Sequence, residues 1–171
     1  IAEIRDARSL LEEAASPAGL PEGLRVGMMV EVPAAALKIA TFLPYLDFIS
    51  IGTNDLTQYA LAAERGNAAV AALSDPLDPG VLSLVRHVCH TAAGRVPVAV
   101  CGEAAADPLL AVVLVGLGAK SLSMAPTALA DVRASLLQYS LEDARVIAEA
   151  ALAANSAATA RSAAQSAAAR L

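Results

Sequence analysis

Three places in this 171-residue chain put a reactive side chain directly after an apolar run. The run from Arg25 ends in Glu31, and the run Asp47-Phe-Ile-Ser-Ile-Gly52 leads into Thr53-Asn54-Asp55. A third run, Val96-Pro-Val-Ala-Val-Cys101, ends in a thiol followed by Gly102-Glu103. Asn54 and Asp55 sit where a strand-like run stops and a helical pattern begins. Free backbone N–H groups and the positive end of a helix dipole favour an anion there. An amide beside a carboxylate at that corner suits a phosphate held together with a hard metal ion. The plainer reading makes Asp55 a helix cap and pairs Glu31 with a nearby Lys or Arg; pattern alone leaves both open.

Groups at successive strand ends need strands and helices in alternation. The pattern predicts a helix over 2–15, a Pro/Gly loop over 16–23 and a strand over 25–31. A helix over 33–43, a strand over 47–51 and a helix from Asn54 to about Ala63 follow. After a loop over 65–78 come helix 80–93, strand 96–101, helix 107–116 and a short strand over 121–124. Helices over 126–138 and 141–153 complete the domain. Four strands separated by helices imply a parallel sheet with right-handed crossovers, with active groups at the C-terminal strand ends. Continuous apolar runs predict that both sheet faces are covered. Residues 154–171 are Ala, Ser and Thr with a few polar interruptions and no large apolar stripe, so a frayed helix or a disordered tail is expected beyond a domain over 1–153.

Net charge is −5 and there is no basic cluster, so neither nucleic acid nor an anionic membrane is an expected partner. The longest apolar run, Leu109 to Ala119, is about half of a membrane span. Cys89 and Cys101 lie in different contexts, which points to reduced thiols and a cytoplasmic setting. Aromatics make up only 3% of residues, so the core must be packed from small side chains. Ile1 falls in mid-helix without an initiating Met, and the expectation is a fragment of a longer protein.

Five blocks in order, MMVEVPAA, DFISIGTNDLTQY, AERGN, DPLDPGVLSLV and CGE, resemble the phosphoenolpyruvate-utilising enzymes over roughly residues 20–150. The AERGN and DPLDPGVL segments are most similar to the phosphoenolpyruvate–protein phosphotransferases (Enzyme I) of bacterial sugar uptake, rather than to the dikinases or synthases. The resemblance implies an α/β fold, the C-terminal half of a (β/α)8 TIM barrel. It implies an enzyme that passes a phosphoryl group from phosphoenolpyruvate to a histidine on a separate domain and then to HPr, releasing pyruvate. A homodimer and Mg²⁺ are implied too, with little or no turnover from the half-barrel alone.

By that resemblance, Glu31 and Asp55 are Mg²⁺ ligands, and Asn54 hydrogen-bonds the phosphoryl group. Arg65 clamps that group, where a planar guanidinium fork outperforms a lysine. Cys101 is the general acid that protonates the enolate carbon, and Glu103 is a neighbour only. Departures are small: Val32 replaces a usual Thr, and Ala106 a usual Gly or Ser. Against these stand a solvated Arg65 at a helix end and a buried structural Cys101. His87 and His90 share one helix face, but with no third ligand in view they read as solvated. Two rival functions remain: a non-catalytic dimerisation module, since half-barrel edges seek partners, and a piece of a dikinase or synthase.

Overall fold

The structure is a computed structural model and describes residues 1–16, 18–64 and 66–171. Helix α1 (Ala2–Ala15) leads to strand β1 (Gly27–Val30), short helices α2 (Pro33–Leu37) and α3 (Ile39–Phe42), and strand β2 (Phe48–Gly52). Helices α4 (Thr53–Leu61) and α5 (Pro79–Ala92), strand β3 (Val98–Cys101) and helix α6 (Pro108–Gly116) follow. Strand β4 (Ser121–Ser123) and helices α7 (Leu129–Leu136), α8 (Leu141–Leu152) and α9 (Ala157–Ala168) complete the order. Local chemistry explains the starts. Pro33, Pro79 and Pro108 each occupy a first turn, where the missing N–H costs nothing. Asp78 and Asp107 cap α5 and α6 through backbone N–H groups.

The four strands form one parallel sheet in the order β1-β2-β3-β4. Register sets Val30 beside Ile51, Ile51 beside Val100, and Val100 beside Leu122. This row lies on the helix-covered face, and Val30, Ile51 and Val100 are wholly buried. The next row, Met29, Ser50, Ala99 and Ser121, points the other way. Met29 is half exposed, and Ser121 is exposed. The expectation of two covered faces therefore fails: only one face carries helices, and β1 and β4 are unpaired edges among the described residues. An open sheet with helices on one side is what half of a (β/α)8 barrel provides. The apolar runs misled because alternation with small residues such as Ser50 and Ala99 still reads as apolar.

Two further differences have clear causes. The helix expected over 33–43 breaks at Lys38, whose φ/ψ of −99°/13° leaves α2 and α3 as separate turns. The expected frayed or disordered tail contains α9, opened by a capping box between Ser156 and Thr159. Its Ala160, Ala164 and Ala167 are buried in the shared core beside Ala144, Ala148 and Ala151 of α8. Alanine on both helices allows close approach, so no large stripe is needed. Gly116 of α6 shows how close this layer is, since a Cβ there would collide with the Ala144 carbonyl. Arg161 of α9 then reaches Asp107 with both terminal nitrogens at 3.0 Å, tying the last helix to the cap of α6. No helix among the described residues is long and apolar enough to cross a membrane.

Candidate active site

The carboxyl ends of β2 and β3 are stitched together by side chains. Thr53, 1% exposed, donates its hydroxyl to the Cys101 carbonyl at 2.8 Å. One residue on from Thr53 and two on from Cys101, the Glu103 amide donates to Asn54 Oδ1 at 3.1 Å. Between these bonds lies Gly102, with φ at +105°. A Cβ on Gly102 would stand 2.6 Å from Thr53 Oγ1 and 2.9 Å from Asn54 Oδ1. The turn therefore needs glycine twice over, for its dihedral and for its clearance.

This stitching fixes the thiol. Cys101 ends β3 opposite Gly52, and its side chain lies on the uncovered face with Ser50. Ser50 Oγ donates to Cys101 Sγ at 3.5 Å, and the thiol donates to the Ile51 carbonyl at 3.5 Å. The half-buried Cys101 opens with Asn54, Glu103 and Ser123 into a pocket of about 330 Å³. A second pocket of about 90 Å³ shares Asn54 and Glu103 and adds Thr53, Thr57 and Ser74. Thr57 Oγ1, buried in its wall, has no hydrogen-bond partner among the described residues. A buried polar atom without a partner costs stability.

The carboxylates sit beside it. Glu31 follows β1, and its Oε2 lies 3.0 Å from where a Cβ on Gly52 would be. Gly52 thus leaves room for Glu31 over the start of α4. Asp55 occupies the first turn of α4, yet no side chain caps that helix. The capping reading of Asp55 is therefore corrected, and Asn54 spends its carbonyl on Glu103 rather than on its own helix. Neither Glu31 nor Asp55 joins an ion pair with another described residue, so the Lys/Arg pairing of Glu31 is corrected as well. Arg65 lies outside the described residues. His87 and His90 are exposed on α5, whereas Cys89 faces the core, where burial pushes its thiol up to about 12.

No group of three His, Cys, Asp or Glu suited to a metal occurs among the described residues. Mg²⁺ does not require one, since one or two carboxylates plus substrate oxygens and waters complete its octahedron. Glu31 and Asp55 carry the kind of oxygen donors that such an ion takes. Sequence reading missed Thr53, Gly102, Ser50 and Thr57. A glycine directly after a strand end is a signal of close backbone approach, and Ser50 is the single hydroxyl inside an apolar strand.

Residues 1–141 match the family described as PEP-utilising enzyme, PEP-binding domain, where PEP is phosphoenolpyruvate. The chain belongs to the PEP-utilising enzyme family. Relatives in this family carry specific names. A phosphoenolpyruvate-protein phosphotransferase of Streptomyces coelicolor is 47% identical over 166 residues, covering 96% of this chain and 29% of that protein. One of Cupriavidus necator is 49% identical over 121 residues, covering 70% of this chain and 21% of that protein. A multiphosphoryl transfer protein of Rhodobacter capsulatus is 40% identical over 162 residues, covering 94% and 20%. The chain thus spans between 20% and 29% of the length of these relatives.

Proposed function

We propose that this chain supplies the PEP-binding corner of a phosphoenolpyruvate–protein phosphotransferase, an enzyme acting in the cytoplasm in bacterial sugar uptake. One observation carries the proposal: Asn54 and Cys101 line the same pocket, held there by the Thr53–Cys101 and Asn54–Glu103 hydrogen bonds. Glu31 and Asp55 would hold Mg²⁺, which would neutralise charge on the transferring phosphoryl group.

The residues divide the remaining work. Asn54, with its carbonyl engaged, has its NH2 group left as donor to a phosphoryl oxygen. Arg65, by its motif, clamps the same group through its planar fork. The phosphoryl group passes to a histidine outside the matched residues and from there to HPr. The bond from phosphorus to the enol oxygen breaks, leaving the electron pair on enolpyruvate. Cys101 gives its proton to the methylene carbon and becomes a thiolate, and the product is pyruvate. The Ser50 and Ile51 contacts hold Cys101 Sγ in place, and its proton turns from the Ile51 carbonyl to the carbon in this step. By itself the chain provides this half of the site and little turnover.

The test uses the complete phosphotransferase carrying this chain, with PEP and Mg²⁺ titrated by calorimetry and pyruvate followed over time. Cys101→Ala is expected to bind PEP normally and to form pyruvate ~10²–10⁴-fold more slowly, the range for a lost general acid. Unchanged pyruvate formation would remove Cys101 from the mechanism.

A second reading draws on the unpaired edges β1 and β4 and the open sheet face. These surfaces favour association of two copies. Sedimentation at micromolar concentration is expected to show a dimer, and a stable monomer would end this reading.

A further inference from the structure

At the opposite end of the sheet, the amino ends of β3 and β4 border a cavity of about 510 Å³. Its charged lining is cationic: Arg95 before β3, Lys120 before β4 and Arg145 from α8, with His90 of α5 beside them. No Asp or Glu among the described residues lines it. That is unusual in a chain of net charge −5, where acidic side chains outnumber basic ones by 17 to 12. Arg95 and Lys120 are exposed and form no ion pair with another described residue. Arg145 has a single carboxylate neighbour, Glu142, at 3.1 Å, one turn back on the same helix. Cys89 also lines it, with its thiol pushed up by burial and drawn down by the nearby Lys120 charge.

The backbone keeps the cavity open. Gly94 and Gly118 turn the chain into β3 and β4 with φ of +72° and +111°. A side chain on Gly94 would meet nothing within 4 Å, so the space beside it is free. Cations brought together from three separate segments, of which Arg145 alone is ion-paired among the described residues, repel one another, and an anion relieves that repulsion. The size lies within the range of small-molecule pockets.

We propose that this cavity binds a small phosphate-bearing polyanion, gripped by Arg95, Lys120 and Arg145, at a site separate from the Asn54–Cys101 corner. Arg95 and Arg145 offer planar forks that match phosphate oxygens in pairs, and Lys120 adds a point charge. Nothing in this assignment depends on the PEP reading.

The experiment titrates inorganic pyrophosphate, without Mg²⁺, into this chain and follows backbone amides by NMR. Saturable shifts are expected at Gly94, Gly116 and Gly118. Arg95→Ala and Lys120→Ala are each expected to weaken binding roughly tenfold, the scale of one lost charge-assisted contact. Both side chains are exposed, so the variants should keep the fold, as their unperturbed distant amides would show. Shifts confined to Asn54 and Gly102 would overturn the proposal, as would the absence of saturation at millimolar pyrophosphate. Undiminished affinity in both variants would overturn it equally.

Discussion

Thr53 donates to the main-chain carbonyl of Cys101 at 2.8 Å, so a buried side chain at the start of α4 holds the last residue of β3 in place. Replacing it with Val keeps the shape and removes the donor. The Cys101 carbonyl would lose that partner at a cost of about 1–3 kcal/mol. Urea melts of Thr53→Val against wild type should show that loss, while Thr53→Ser should recover most of it. Equal stability of Val and Ser variants would show that the bond contributes nothing.

Gly102→Ala should be worse than its small size suggests. Its Cβ would meet Thr53 Oγ1 and Asn54 Oδ1 in a backbone conformation that L-residues avoid. About 1–3 kcal/mol of strain is expected, together with displacement of the Asn54 side chain. Thermal melting gives the first quantity. PEP affinity in the complete enzyme gives the second, since a shifted Asn54 should weaken binding more than it lowers stability.

The two cysteines should separate cleanly in alkylation. Cys101 is half-buried and borders an open pocket, whereas Cys89 is 4% exposed and its thiol is pushed up to about 12 by burial. One fast-reacting thiol is expected in the native chain at neutral pH and two in urea, with mass spectrometry placing the fast label on residue 101. Rapid labelling of Cys89 under native conditions would contradict its buried placement.

Cys89 also predicts an alkaline limb in stability. Its ordinary value of 9.0 is raised in the fold, so the folded state keeps the proton after the unfolded state has lost it. The stabilisation is complete below pH 9.0 and is lost as pH rises towards about 12. Cys89→Ala should flatten that limb in urea midpoints measured across the alkaline range, after allowance for a constant offset from the lost side chain.

Asp107 carries two loads and Arg161 one. Asp107 accepts from the Leu109 and Leu110 amides and binds Arg161 of α9. Arg161→Ala should loosen α9 at a cost of up to about 1 kcal/mol, because the pair is partly exposed. Asp107→Ala should cost about 1 kcal/mol more, through the lost cap. Limited proteolysis should release the C-terminal helix faster in both variants.

The parts of this fold that could be read from sequence rest on strong local signals. Pro33, Pro79 and Pro108 mark helix starts, Asp78 and Asp107 cap the last two, and the strand ends at Glu31, Gly52 and Cys101 fall within about a residue of their predicted places. Distance defeated the rest. The pairing of Thr53 with Cys101 spans 48 residues of chain, and no local pattern announces it. The docking of α9 was hidden because alanine carries a weak hydrophobic signal, and only the matching alanines of α8 make it adhesive. The one-sided sheet was hidden because a small residue such as Ala99 counts as apolar whether or not anything covers it.

That one-sidedness has a consequence for how faithfully the chain must fold. Along β2 and β3, anchoring residues and reactive residues alternate at every step: Ile49, Ile51, Val98 and Val100 on one side, Ser50 and Cys101 on the other. A slip of a single residue in pairing would exchange the two sets, sending the thiol among the helices and an isoleucine into the pocket. An assembly error would therefore damage solubility and chemistry together, and a chain that acquires its reactive corner has already passed its own proofreading step.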